Sequence, residues 1–227
     1  MTDNSIIAWF TDSENWSGSS GVPARLVEHL AICAWAMGMA LVIAIPLGIW
    51  LGHINRFGIL VTSIANLGRA IPTFALLIVL ASWDAIGVSD LAAIIALAVF
   101  AVPPILTNAF IGVRDVDRDC TDSARGMGMR PAEVLRLVEL PLAVPVMAAG
   151  IRTSTVQVVA TATLAAFVGG GGLGRLVVDG FGRQDYALML AGVILVAALC
   201  IVVELLMAWV QRTLTPAGLR IQPQVAA

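Results

Sequence analysis

The sequence contains no lysine, and all 13 of its basic residues are arginine. A phosphate-binding loop of the form G-x-x-x-x-G-K-[ST] sets a lysine on the phosphates, so this chain cannot carry that kind of ATP site. Any nucleotide drive must come from another subunit. Histidine is nearly absent too. His29 and His53 stand at opposite ends of one apolar run, and no Ser-His-Asp arrangement can be assembled from them. The three cysteines, Cys33, Cys120 and Cys200, are scattered without C-x-x-C or zinc spacing and read as reduced thiols, packed or incidental. His29 and Cys33 share a helix face, but two soft ligands without a third are the pattern of packing rather than of a metal site. Charged residues make up 12% of the chain, where soluble domains carry about 25%. That scarcity excludes an ordinary soluble domain.

In place of charge there are long apolar runs. Hydrophobic residues make up 59% of the chain and the mean hydropathy is +0.93, the composition of an all-α integral membrane protein. Its 227 residues leave room for about five or six spans of roughly 20 residues with short loops. The runs predict five spans: Leu26 to Trp50, Ile59 to Ala81, Leu91 to Val113, Leu142 to Val168 and Ala187 to Val210. Arg69 and Pro72 interrupt the second, and Pro103-Pro104 lies inside the third. The connections are a turn, GHINRFG, an acidic loop, WDAIGVSD, and a glycine-rich stretch, GGGGLGRLVVDGFGRQDY. The first 21 residues are polar and acidic, with Trp9, Phe10 and Trp16 interspersed. Their IIAWF core is too short for a secretory signal, so they read as an uncleaved tail, either lying at the outer interface, where amphipathic rings prefer to sit, or disordered. Residues 22–213 then form the transmembrane domain and 214–227 a cytoplasmic tail.

One stretch is strongly polar: Arg114 to Pro141, RDVDRDCTDSARGMGMRPAEVLRLVELP. It parses into two short helices. Asp115 and Asp117 can cap the first by accepting orphan backbone N–H groups. Gly126 and Gly128 loosen its end, Pro131 and Glu133 suit the start of the second helix, and Pro141 is expected to stop it.

Within that stretch the spacing resembles the cytoplasmic signature of membrane subunits in bacterial importers driven by ATP-binding cassettes: Glu-Ala-Ala, three residues, Gly, nine residues, Ile, one residue, Leu-Pro. Here the register gives Asp122-Ser123-Ala124, Gly128, Val138 and Leu140-Pro141, with Asp for Glu, Ser for Ala and Val for Ile. A second run, AGIRTSTVQVVATATLAAFVGGGGLG at Ala149 to Gly174, is similar to the permeases of osmoprotectant importers for glycine betaine, carnitine and choline. The resemblance implies a type I importer permease fold in a bacterial plasma membrane. It implies separate ATPase subunits that bind ATP and magnesium and dock on the signature residues, with no cofactor in this chain. It also implies a second permease subunit, identical or paralogous, and an extracytoplasmic binding protein, with the bilayer as solvent and no nucleic-acid partner. Gly170, Gly171, Gly172 and Gly174 would lie near the outer mouth, facing the binding protein and acting as a hinge. The same glycines lack the strand-turn-helix context of a dinucleotide-binding loop.

Polar residues inside the spans are the candidates for a translocation path, because charge there is expensive and faces protein or water. Arg152 reads as internal, whereas Glu204 reads as snorkelling to the interface. Thr155, Gln157, Thr161 and Thr163, with Thr153 and Ser154, either line an aqueous path or hydrogen-bond between helices. With the N-terminus outside, Arg56, Arg114, Arg118, Arg125, Arg130, Arg136, Arg212 and Arg220 are cytoplasmic, against Arg25, Arg175 and Arg183 outside. That eight-to-three bias predicts N-out, C-in. Tyr186 and the six tryptophans offer no cluster for a quaternary amine, so the aromatic cage is expected in the binding protein. Alternatives are a permease of the same architecture for another solute such as methionine, an ion-coupled carrier using Arg152 and Glu204, and a structural membrane anchor.

Overall fold

The structure, a computed structural model, describes residues 5–216 and 218; the expected tail 214–227 and Arg220 lie almost wholly outside them. Among the described residues, ten α-helices and no strands are present. Four apolar stretches are long enough to cross a membrane: α2 (Val22–His53), α5 (Asp90–Arg114), the run Pro131–Val168, and α10 (Tyr186–Leu214). A fifth candidate is the pair α3 (Gly58–Ala70) and α4 (Thr73–Ala81), which together are apolar enough for a span but are separated by a break. The break falls at Pro72, which has no N–H and disfavours the helical conformation of the residue before it. Pro72 itself is extended, at φ −65° and ψ 111°.

Three sequence expectations need correction. Pro141 does not stop a helix. The short helix α7 (Pro131–Val134) continues through a π turn, Leu135–Glu139, into α8 (Leu140–Thr161) and a 3₁₀ segment, Ala162–Val168. The π turn supplies the reason: the Leu140 N–H reaches the Leu135 carbonyl, a wider loop that fits a residue lacking a donor into the next position. The continuous helical rod that carries the fourth span therefore begins at Pro131, ahead of the expected Leu142. The glycine-rich stretch is not all connection either, since α9 (Gly174–Arg183) is folded within it.

The chain forms two compact units. The first comprises residues 1–40, 70–101 and 155–204. Its core gathers Val22, Leu173 and Leu176, with Trp9, Leu26, Leu188 and Leu195 packed around them. Trp9 belongs to α1 (Ile6–Thr11), capped by the Ser5 hydroxyl accepting the Ala8 N–H at 3.1 Å. Among the described residues the tail is thus folded, with α1 and the turn that follows it. Its turn is closed by Asn15 and Trp16, whose side chains donate to the Trp9 and Phe10 carbonyls, each at 2.9 Å.

The second unit comprises residues 41–69, 102–154 and 205–227. Here α2 meets α5 along Gly48 and Gly52, spaced as the small-residue seam that lets membrane helices approach closely. A Cβ on Gly48 would lie 2.6 Å from the Ala109 Cβ and 2.9 Å from the Leu106 carbonyl oxygen. One on Gly52 would lie 2.8 Å from the Phe110 carbonyl. With little hydrophobic drive between helices in lipid, this backbone proximity is a main source of packing energy.

Candidate functional site

The polar segment is fixed by its caps. Helix α6 (Arg118–Gly126) begins where Asp117 turns its carboxylate back onto the Asp119 N–H, at 2.9 Å. Asp115, expected to share that role, instead accepts from the Arg114 guanidinium at 2.7 and 3.2 Å. A bidentate ionic partner next door outcompetes a backbone amide for the carboxylate. At its other end α6 closes in a Schellman motif: the Met129 N–H bonds the Ala124 carbonyl at 3.2 Å and the Gly128 N–H bonds that of Arg125 at 2.9 Å. Gly128 sits at φ +86°, the left-handed region natural to glycine. Signature residues Ala124 and Gly128 are therefore two ends of one motif. Ala124 is buried, while Asp122, Ser123 and Gly128 face outward. Pro131 then starts α7, with Glu133 reaching back to the Arg130 N–H at 2.7 Å. Val138 and Leu140 are half-buried and Pro141 is exposed, along the rod that continues into the span.

Sequence reasoning missed the residue between Val138 and Leu140. Glu139 is only 4% exposed, and its carboxylate lies 2.5 Å from Nδ1 of His53, the last residue of α2. The pair lines a cleft of about 300 Å³ shared with Arg114, Arg118, Asp122 and Arg125. The two residues are 86 positions apart, so no local pattern could join them. The one available signal was a histidine at the end of an apolar span, together with a carboxylate inside an otherwise apolar Val-Glu-Leu-Pro.

The path candidates separate between the units. Arg152, in the second unit, donates to the Gln211 side-chain oxygen at 3.1 Å, and Gln211 in turn donates to the Pro145 carbonyl at 3.3 Å. Arg152 and Gln211 line a cleft of about 560 Å³ with Ala208, Arg212 and Thr215. In the first unit Thr155 and Thr161 are half-buried, Gln157 is exposed, and the half-buried Thr163 hydroxyl donates to the Ala160 carbonyl at 2.9 Å. Thr163 lines a separate, uncharged cleft of about 350 Å³.

The glycine run is tied down from both sides. The Gly171 N–H donates to Asp90 and the Gly172 N–H to Glu28, each at 2.9 Å, and Glu28 also receives Arg25 at 2.9 Å. A Cβ on Gly171 would come within 2.5 Å of the Glu28 carboxylate, and one on Gly172 within 3.0 Å of the His29 ring. Gly170 and Gly174 are buried against Ala165 and Thr163. What Gly171 and Gly172 supply here is a backbone N–H brought close to a carboxylate.

The described residues thus form a multi-span helical protein in which a capped polar helix, α6, precedes a rod that continues into an apolar span. Residues 44–216 match the family described as "Binding-protein-dependent transport system inner membrane component", and the chain belongs to that family. It is 39% identical over 196 residues to the choline transport system permease protein OpuBB of Bacillus subtilis (strain 168), covering 86% of this chain and 89% of that one. It is 37% identical over 212 residues to the carnitine transport permease protein OpuCD of Listeria monocytogenes, covering 93% and 94%. Its fold is similar to that of the inward-facing MetNI methionine ABC transporter, with a TM-score of 0.73 at 23% identity over 86% of this chain and 96% of that one.

Proposed function

We propose that this chain is the permease subunit of an ATP-driven, binding-protein-dependent importer of quaternary-ammonium osmoprotectants such as choline, carnitine and glycine betaine. The observation that carries the solute class is the near full-length similarity to permeases named for choline and carnitine transport. The likeness to a methionine transporter, at 23% identity, supports the fold alone. Separate ATPases would dock on Asp122, Ser123, Ala124, Gly128, Val138, Leu140 and Pro141, within a cytoplasmic segment spanning residues 114–141. A second permease subunit would complete the path, to which Arg152, Thr155, Gln157, Thr161 and Thr163 would contribute. The binding protein would meet the face carrying Gly170, Gly171, Gly172 and Gly174. Reconstituted with its ATPase and binding protein, the complex should take up labelled choline, carnitine or glycine betaine only with ATP. Uptake of methionine and none of these would overturn the assignment.

The orientation is N-out, C-in, supported by the arginine bias. Native Cys120, exposed on α6, should resist an impermeant thiol reagent in intact cells, whereas Asp84→Cys in a Cys120→Ser background should react. The reverse pattern would invert the topology.

Gly128 gives a test of the docking turn. A Cβ there would meet nothing within 4 Å, so the demand on this position is purely conformational. Gly128→Val forces a β-branched residue into the left-handed region at about 1–2 kcal/mol or more. The variant should reach the membrane and assemble, yet lose most ATP-driven uptake. Wild-type uptake would mean that the Schellman turn is not used in coupling.

A further inference from the structure

We propose that Phe74 and Phe167 form an aromatic subsite for the quaternary-ammonium head of the transported solute within the permease itself. This rests on the solute class assigned above and adds to it a place in this chain where the cation is met.

Both rings belong to the first unit and sit where the backbone departs from regular α-helix. Phe74 is in the first turn of α4, just after the Pro72 break, and Phe167 is in the 3₁₀ segment Ala162–Val168. Irregular backbone in lipid is tolerated where it is buried in protein or lines a cavity. The ring centroids are 5.6 Å apart at 79°, an edge-to-face pair. This geometry leaves ring face unoccupied, and the residues are 41% and 56% exposed.

Phe167 also walls the uncharged cleft of about 350 Å³ that carries Thr163, with Ala160, Gly174, Ala197 and Cys200 among the other lining residues. Among the described residues no Asp, Glu, Lys, Arg or His lines it. A quaternary ammonium has no N–H to donate, so hydrogen-bond acceptors gain little from it and aromatic faces bind it through the ring quadrupole. Ala160, Gly174 and Ala197 leave room for methyl groups around the nitrogen, and Val177, Val193 and Val196 complete an apolar wall. Two rings are fewer than an enclosing cage needs, which suits a station a solute must also leave. A ring pair that only packs against lipid needs neither the cleft nor the broken backbone, and its electron density would be irrelevant to transport.

That last difference is the test. In the intact complex, reconstituted with ATPase and binding protein, Phe167 is replaced by phenylalanines carrying one, two and three ring fluorines, which keep the shape and drain the ring quadrupole. Phe74 is treated likewise. ATP-driven uptake of choline should fall stepwise along at least one series, to about threefold to tenfold below wild type, while assembly measured by size-exclusion stays constant. Phe167→Trp should retain uptake and Phe167→Leu should lose it. A flat fluorination series beside robust wild-type choline uptake would overturn the subsite and leave the importer assignment standing. A wild-type complex that moves no quaternary ammonium would overturn both.

Discussion

Replacing His53 with alanine is expected to reduce ATP-driven uptake by more than an order of magnitude and to lower the thermal stability of the purified subunit. Glu139, 4% exposed, would lose the ring nitrogen that stands 2.5 Å from its carboxylate. Removing one member of a buried pair costs about 3–5 kcal/mol, because the other is left without compensation. The partial exposure of the His53 side chain, 19%, places this pair toward the lower end. The double variant His53→Ala, Glu139→Leu separates stability from coupling. An apolar replacement of the whole pair should restore much of the stability, yet uptake should stay low, since α2 and the π turn would no longer be joined. A His53→Ala protein with wild-type stability and uptake would show that the contact is incidental.

Gly48→Leu should remove the subunit from the membrane fraction altogether. The side chain would be driven into Ala109 and the Leu106 carbonyl, neither of which is the movable end of a flexible side chain. Overpacking a well-filled core costs about 1–3 kcal/mol and occasionally more, and here the neighbour is backbone. The matched control is Gly38→Leu on the same helix, where a Cβ meets nothing within 4 Å. Normal accumulation of both variants would refute the close α2–α5 seam; loss of the Gly48 variant alone would establish it.

What the sequence discloses and what it hides divide along physical lines. Apolar runs predict the spans because lipid demands them, and the interruption at Pro72 was visible for the same reason that it breaks the helix. Gly128 was legible because a turn between two capped helices needs one residue of free backbone. Pro141 is misleading: after a polar segment a proline reads as a stop, and nothing in Leu135 to Glu139 announces the π turn that carries the helix past it. The carboxylates that hold the glycine run lie 81 and 144 positions before it. The glycines are therefore visible in the sequence as unusual, but their partners are not. His53 and Glu139 were hidden in the same way, by distance along the chain.

The unbroken run from Pro131 to Val168 also limits how this protein can change in length. Each residue of an α-helix advances the side chains by about 100°. A single insertion or deletion between Pro131 and Arg152 would therefore turn everything beyond it by more than a quarter of a circle, swinging Arg152 away from Gln211. The π turn is itself such a phase shift, one residue more per turn than its neighbours, and it sets the angular position at which Glu139 meets His53. An insertion in the loop Trp83 to Ser89 would turn no helix in this way, whereas the stretch from Pro131 to Arg152 is held to a single residue count.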